Sequence, residues 1–483
     1  MVRVSGVSPP VDLIGFNNTI NTLERAVKER VFYVKDRSGA FVEPPRPVGQ
    51  HFSTVMSSVL GQLSKFLPRT APLSRREFVD SFRGRKRKIY AAASEDLLRK
   101  DFSPKDAEVK VFVKYEKTDK TRKTDPVPRV ISPRSPRYNV EVGRFLRPLE
   151  ERVFRAIGKM FGHPTVIKGM NSQRSGTVLR EKWEKFGRPV AIGLDASRFD
   201  QHVSVDALCF EHDVYNRCFP RRRHRDRLSY LLRMQLRNVC RGYTADGKLR
   251  YTTNGVRMSG DMNTSLGNCI LVCCMIRAYA LDRGVNLQLA NNGDDCVVFM
   301  EQRDQAKFMD GLDGWFLRMG FNMAVEDPCY QFEEVEFCQT HPVCVGGNNF
   351  IMVRHPKWAV AKDTCCVHNY ITPKSFKGWL HAVGTGGMAM TGGIPVFQEF
   401  YSAYLRAGEF NPNIESGLSW GVRTLAKDMT RGYCEVLPEV RASFYWAFGV
   451  TPDEQLVIED FYRGVEIGCL PVGQLTYQSP LPL

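Results

Sequence analysis

The chain has 483 residues, a formal net charge of +16, and 43% hydrophobic against 25% charged residues. That length suits roughly two to four packed subregions, and the composition excludes a disordered or low-complexity chain. The basic excess points to a polyanionic partner, either nucleic acid or an anionic membrane surface.

No continuous apolar run reaches the roughly 18 residues that a bilayer-spanning helix needs. The best, residues 269–276, is far shorter, and MVRVSGVSPP at the N-terminus has no signal-peptide core. Fourteen scattered cysteines, several inside apolar runs, indicate reduced thiols in a cytosolic setting and not a disulfide framework.

Residues 1–50 are punctuated by Pro and Gly and read as an extended segment lying over the rest. From residue 52 to about 100, apolar residues recur at helical spacing, as in Val55, Val59, Leu63 and Phe66. RGRKRK (83–88) is either a phosphate contact or a solvated face. VFV (111–113) and RVI (129–131) look like strands bracketing a run of cations: Lys114, Lys117, Lys120, Arg122, Lys123 and Arg129, with Arg134 and Arg137 just beyond. Prolines in KTDPVPRVISPRSPR (123–137) forbid a helix there, so the cations either line a channel or sit on a solvated loop. Helical spacing returns at Phe145, Leu149, Val153, Ile157 and Phe161.

Strand-like segments fill about 188–350. Residues 190–194 form a short apolar strand with Asp195 at its end and Asp200 five residues on. PRRRHRDR (220–227) reads as an outward-facing run. RMSGDMNTSLGN (257–268) is a polar, Gly-containing loop that opens an apolar helix. Such a loop offers N–H groups and hydroxyls to a sugar or phosphate; plain N-capping by Asn263, Thr264 or Ser265 is the simpler alternative. In LQLANNGDDCVVFM (287–300), two short apolar strands flank Gly-Asp-Asp, a tight turn in which Gly293 is free to take positive φ. Cys338, His341, Cys344, Cys365, Cys366 and His368 have ligand-like spacing but match no strong zinc pattern, and buried thiols are the usual reading. Beyond residue 373 the chain reads as helices, with Trp379, Phe397, Phe400 and Tyr404 on apolar faces and a helix start at Thr451 with Glu454 three residues on.

Each acidic element alone has an ordinary explanation as solvated acids at a strand end or hairpin tip. Their combination does not. If the strands share a sheet, Asp195 and Asp294 meet at one edge, where unneutralised carboxylates repel and raise each other's pKa. Divalent cations remove the repulsion, and two hard ions about 3.5–4 Å apart stabilise the attacking and leaving oxygens of an in-line phosphoryl displacement. The basic segment supplies cations for a leaving pyrophosphate. The chemistry is nucleotidyl transfer.

These residues resemble the RNA-dependent RNA polymerases of positive-strand RNA viruses, most of all the plant tombusvirus-like group. The resemblance rests on Asp195 with Asp200, on SGDMNTSLGN (259–268), on Gly-Asp-Asp (293–295), on the basic stretch from Lys110 to Arg137 with PRVISPR at its core, and on FCQ (337–339). It covers about 110–345. It implies an α+β right hand closed by fingertips: an antiparallel palm sheet carrying the Gly-Asp-Asp hairpin, and a mostly helical thumb. The implied parts are an N-terminal segment (1–50) packed on fingers and thumb, fingers and fingertips (51–187), a palm (188–350) with an inserted fingers segment (about 205–255), and a thumb (351–483).

By the same resemblance, Asp195, Asp294 and Asp295 are catalytic and bind two Mg²⁺ or Mn²⁺ ions. Asp200, Ser259, Thr264 and Asn268 would read the NTP ribose. Lys114, Lys117 and Arg129 would hold the triphosphate. Gly260, Arg134, Arg137, Phe337, Cys338 and Gln339 would contact template or primer RNA. Implied partners are single-stranded RNA template, nascent RNA, NTPs and a membrane-anchored viral replication protein. The implied location is host cytoplasm, at membrane-associated replication complexes reached through a partner or an N-terminal extension. One departure is Ala324, where such enzymes often carry a lysine that protonates pyrophosphate; Lys307 and Arg318 are the nearby alternatives and the general acid stays unassigned. Untemplated nucleotide chemistry and a non-catalytic RNA-binding scaffold are the competing functions, but the first leaves the long basic segment unexplained and the second the full set of acids.

Overall fold

The computed structural model describes residues 1–9, 11–36, 38–367, 372–415 and 426–470, and mixes helix and strand throughout. The sheet that matters for function has four antiparallel neighbours in the order Leu287–Asn292, Asp295–Glu301, Pro189–Ala196, Met323–Val325. Its two central strands are buried on both faces, which is why they read as unbroken apolar runs. Side chains alternate across a strand, so the two faces feed two cores. Val190, Ile192, Leu194, Cys296, Val298 and Met300 pack into the largest core, against the helix Thr264–Arg283. Ala191, Val297 and Phe299 pack on the other side with Trp183, Phe332 and Phe337.

Thr264–Arg283 is buried nearly all round. By length and a mean hydropathy of 1.5 it is apolar enough to cross a bilayer, yet 78% of that stretch lies inside the fold. The sequence reading counted only its longest unbroken apolar run; the physical reason for its hydrophobicity is core burial.

A second sheet runs Lys248–Asn254, Arg237–Tyr243, Val109–Val113, Val130–Ile131. Val109–Val113 lies parallel to Arg237–Tyr243 and antiparallel to Val130–Ile131. The strands bracketing the basic segment therefore pair with each other and anchor both its ends. The helical pattern around residues 145–161 is split into Pro136–Leu146 and Glu150–Phe161, with Pro148 in the break.

Residues 1–50 are not extended throughout. Val2–Ser5 pairs between Cys365–Cys366 and Gly468–Leu470, and Leu13–Ile14 pairs with Thr118–Asp119. Between these and residue 33 runs a helix, Ile20–Val27, capped by Thr19 and continued by a wider turn, Lys28–Phe32. Leu23, Val27 and Val31, spaced by four, bury against Val109, Val111 and Cys240. That spacing was legible, but the surrounding Pro and Gly outweighed it. The helices Pro373–Thr391, Phe397–Ala407, Pro438–Phe448 and Pro452–Gly464 share their own core, which includes Trp379, Phe397, Phe400 and Tyr404. Thr451 and Glu454 form a reciprocal capping box, the carboxylate accepting from Thr451 N–H at 2.8 Å.

Candidate active site

The acidic hairpin is closed from within. Asn292 pairs with Asp295, leaving Gly293 and Asp294 as the turn. Gly293 has φ +81°, and nothing stands within 4 Å of a Cβ built on it, so glycine is required there by backbone angle and not by space. Asn291, fully buried, donates from Nδ2 to Gly293 O (2.8 Å) and Asp295 O (3.3 Å). Its main chain is held by residues 165 and 167, through Asn291 N–Thr165 O (2.9 Å) and Ile167 N–Asn291 O (2.8 Å).

The register sets Asp295 directly opposite Asp195. Asp294 sits one residue further, in the turn. The sequence set Asp195 against Asp294; the register pairs it with Asp295 instead, while Asp294 stays near enough to feel the Asp195 charge. Burial, and then the carboxylates of Asp200, Asp295 and Asp195, push the Asp294 carboxyl up to about 7. Desolvation and Asp195 also raise Asp295, and a hydrogen bond from Cys338 opposes them. Glu326 and Glu336 add to this negative field; Glu326 is raised by burial and by Glu336, Asp195 and Asp295. The sequence reading passed over both glutamates, although Glu336 directly precedes the FCQ element.

Among the described residues, no three His, Cys, Asp or Glu side chains already converge as a closed metal cage would. What the strands do bring together is an all-oxygen donor set whose members repel one another, the chemistry that suits a hard divalent cation. Asp195, Asp294 and Asp295 are the carboxylates of that set. The thiols and histidines weighed for zinc go elsewhere: Cys338 Sγ accepts from Asn292 Nδ2 (3.2 Å), Cys365 Sγ meets Met1 Sδ (3.6 Å), and His341 Nε2 lies 3.7 Å from Glu336. His368 lies outside the described residues.

Asp200 is fixed by a buried network. Ser259 Oγ donates to one of its oxygens and Asn268 Nδ2 to the other (3.1 Å). Asn268 Oδ1 accepts from Arg257 Nε (3.0 Å), and Arg257 is paired with Glu211, both wholly buried. Glu211 also accepts from Asn263 (2.6 Å) and Tyr215 (2.7 Å). Asn263 therefore does not cap the following helix through its side chain. Thr264 Oγ1 donates to Met258 O (3.1 Å) and Asp261 O (3.0 Å), closing its own loop. Gly260 has φ +135°, and a Cβ there would stand 3.0–3.1 Å from the backbone of residues 132–133. It permits the close approach in which Ser132 N donates to Ser259 O (2.7 Å).

The cleft beside Asp294 is lined by Asp200 and Ser259 and by three arginines, Arg30, Arg129 and Arg198. Burial, then the positive charges of Arg198 and Arg129, lower Arg30 to about 10. Three guanidiniums that repel one another over a cleft make a place for an anion. Arg30 comes from the turn after the first helix and donates to Val127 O (2.9 Å). Arg198 takes a left-handed φ of 51° and donates to the carbonyls of Glu29 and Tyr33. Sequence reasoning passed over both. Arg198 lies between two flagged aspartates, and that position was the available signal.

Several expected contacts do not reach this cleft. Lys117 Nζ donates to Lys362 O, on the helix Pro356–Asp363. Lys114 pairs with Glu116 at 2.6 Å; Arg129 does line the cleft, while lying 3.6 Å from the same carboxylate. Arg134 is buried, with all three nitrogens bonded: to Asp261 (2.6 and 3.2 Å), Ala107 O (2.7 Å) and Asn238 (2.5 Å). Arg137 is engaged likewise by Asp96, Asp106 and the carbonyls of Lys100 and Asp101. Neither arginine keeps a nitrogen free for RNA; they tie the basic segment to its neighbours. Phe337 is buried in the second core and offers no ring to RNA. Ala324 pairs with Asp195 at the sheet edge, so the departure in the general-acid position sits beside the site itself. Lys307 donates to Gly284 O at the opposite end of the sheet.

The profile of the family described as viral RNA-dependent RNA polymerase matches residues 1–469. The chain is 52% identical over 483 residues to the RNA-directed RNA polymerase of Oat chlorotic stunt virus (isolate United Kingdom), an overlap of 96% of this chain and 64% of that protein. It is 44% identical over 472 residues to that of Tobacco necrosis virus (strain A), covering 96% and 63%. With that of Turnip crinkle virus it shares 40% identity over 473 residues, covering 97% and 60%. The chain thus spans less than two thirds of the length of these relatives.

Proposed function

The chain belongs to the viral RNA-dependent RNA polymerase family, and from that premise we propose that it copies an RNA template into RNA by nucleotidyl transfer from NTPs. One observation carries the reading: Asp195 faces Asp295 beside a half-buried, repelled Asp294, whose cleft is also lined by Arg30, Arg129 and Arg198.

Asp195, Asp294 and Asp295 would hold two divalent ions, Mg²⁺ or Mn²⁺. When bound, such ions lower the pKa of the attacking 3′-hydroxyl and neutralise charge on the leaving oxygen. The chain's own residues do the rest. Arg30, Arg129 and Arg198 receive the triphosphate and place its α-phosphorus over the acids. Asp200, its oxygens aimed by Ser259 and Asn268, reads the ribose 2′-hydroxyl. Gly260, by keeping Ser259 packed against Ser132, fixes the loop that would steer the template base.

On this reading the molecule is a right hand, with fingers and fingertips in 51–187, a palm in 188–350 and a thumb in 351–483. Residues 1–50 tie fingertips to thumb. Its partners are single-stranded RNA template, nascent RNA and NTPs. A membrane-anchored viral replication protein recruits it to membrane-associated complexes in the host cytoplasm.

The test is nucleotide incorporation on a short single-stranded RNA template with Mg²⁺ or Mn²⁺, with and without an annealed primer. Wild type should extend or initiate; Asp294→Asn should not, while binding RNA within a few-fold of wild type. RNA binding without synthesis by wild type would favour a non-catalytic scaffold.

A further inference from the structure

Residues 337–340 make a two-residue turn against the acidic hairpin. Phe337 N donates to Thr340 O (2.9 Å) and Thr340 N to Phe337 O (3.1 Å), so Cys338 and Gln339 are the whole loop. Both take left-handed angles, φ 54° and 61°. A turn of this hand ordinarily uses Asn-Gly or Asp-Gly, since positive φ at both positions strains residues that carry a Cβ. Neither residue here is glycine, so the strain is retained for what the side chains do.

Each side chain has a partner. Gln339 Oε1 accepts from Lys362 Nζ (3.1 Å). Cys338 Sγ accepts from Asn292 Nδ2 (3.2 Å), and Asn292 is the residue paired with Asp295 across the hairpin. The Cys338 thiol in turn donates to the Asp295 carboxylate. Amide, sulfur and carboxylate form a chain of donors that ends on the acid opposite Asp195. The contact opposes the tendency of Asp295 to turn away from Asp195 under mutual repulsion.

Resting on the polymerase reading above, we propose that Cys338 is a positioning residue: the strained turn holds its thiol against Asp295 and fixes the direction in which that carboxylate points. This differs from the RNA contact that the resemblance implied for Cys338.

The test compares wild type with Cys338→Ala, Cys338→Ser and Cys338→Gly. Three quantities are measured: kcat and KM for NTP, Mn²⁺ affinity of the protein without RNA or nucleotide, and Tm. Removing a group that orients a metal ligand costs roughly 10–100-fold. Cys338→Ala should therefore lose about tenfold in Mn²⁺ affinity and in kcat, at unchanged KM. Cys338→Ser, which keeps a donor, should recover most of both. Cys338→Gly relieves the backbone yet should behave as Ala. Wild-type Mn²⁺ affinity in the Ala variant overturns the proposal, as does wild-type affinity in Gly alone, which would assign the effect to backbone strain. A lowered Tm with unchanged Mn²⁺ affinity overturns it in favour of plain packing. Should wild type itself fail to incorporate nucleotides, the polymerase reading falls, while the Mn²⁺ comparison still decides the role of Cys338.

Discussion

Asp195 and Asp295 stand directly opposite each other on the two central strands of the functional sheet. Two like charges at paired positions destabilise a sheet, so the fold bears a local cost where the chemistry is proposed to occur. Divalent cations should offset it. Mg²⁺ added to the protein alone should raise Tm in a concentration-dependent way, by mass action on the folded state. Asp294→Asn should raise Tm in the absence of Mg²⁺, by removing a half-buried and repelled carboxyl, and should blunt the Mg²⁺ response. A differential scanning titration checks both; an unchanged Mg²⁺ response in the variant would remove Asp294 from the metal site.

Asp200→Ala should weaken discrimination between NTP and dNTP by at least about tenfold, because the loss of a group aimed at a substrate hydroxyl relaxes selection against the analogue that lacks it. The measurement is the ratio of kcat/KM for the two substrates. Equal ratios in variant and wild type would assign Asp200 to holding Ser259 and Asn268 alone.

Arg30 and Arg134 should separate cleanly. Arg30→Ala removes one of three cations facing the cleft and should raise the NTP KM about tenfold, the equivalent of one charge-assisted contact. Arg134→Ala leaves Asp261 buried without its partner, and should destabilise the fold by about 3–5 kcal/mol in urea denaturation. RNA affinity of the folded Arg134 variant should stay near wild type. A large fall in that affinity would restore the RNA contact that the sequence suggested.

Lys182 predicts a pH dependence of stability. It is buried, bonded to His163 Nδ1 (2.7 Å) and Pro164 O, and burial lowers its ammonium from 10.5 to about 7. Between those values the unfolded chain holds a proton that the folded chain has released, so stability rises with pH through that window. Below about 7 the ammonium stays buried and its full cost remains. Lys182→Met should therefore gain most over wild type at and below about pH 7, with the difference narrowing as pH rises from there toward 10.5. A difference that does not change with pH would show that the lysine enters the fold already neutral or fully compensated.

The acidic residues were legible because their chemistry needs fixed neighbours in sequence: a turn glycine before Asp294, a strand ending at Asp195, a polar loop ahead of a buried helix. The bracketing strands around the basic segment were legible for a similar reason, since VFV and RVI carry β-branched or aromatic residues that pack on a pleated surface. What misled was charge. Arg134 and Arg137 belong to a basic run, yet each found carboxylates and carbonyls more than 25 residues away in sequence. Arg30, far from any flagged motif, and Arg198, between Asp195 and Asp200, were carried to the cleft instead.

The available chemistry and the local turns that present it are written in the residues themselves, because side-chain type and backbone preference act over a few residues. Tertiary packing alone set which cations face the cleft. Whether an arginine meets a carboxylate or an open cleft depends on strand register and on packing between distant segments. The pairing of Asp195 with Asp295 and the gathering of Arg30, Arg129 and Arg198 are both of that kind.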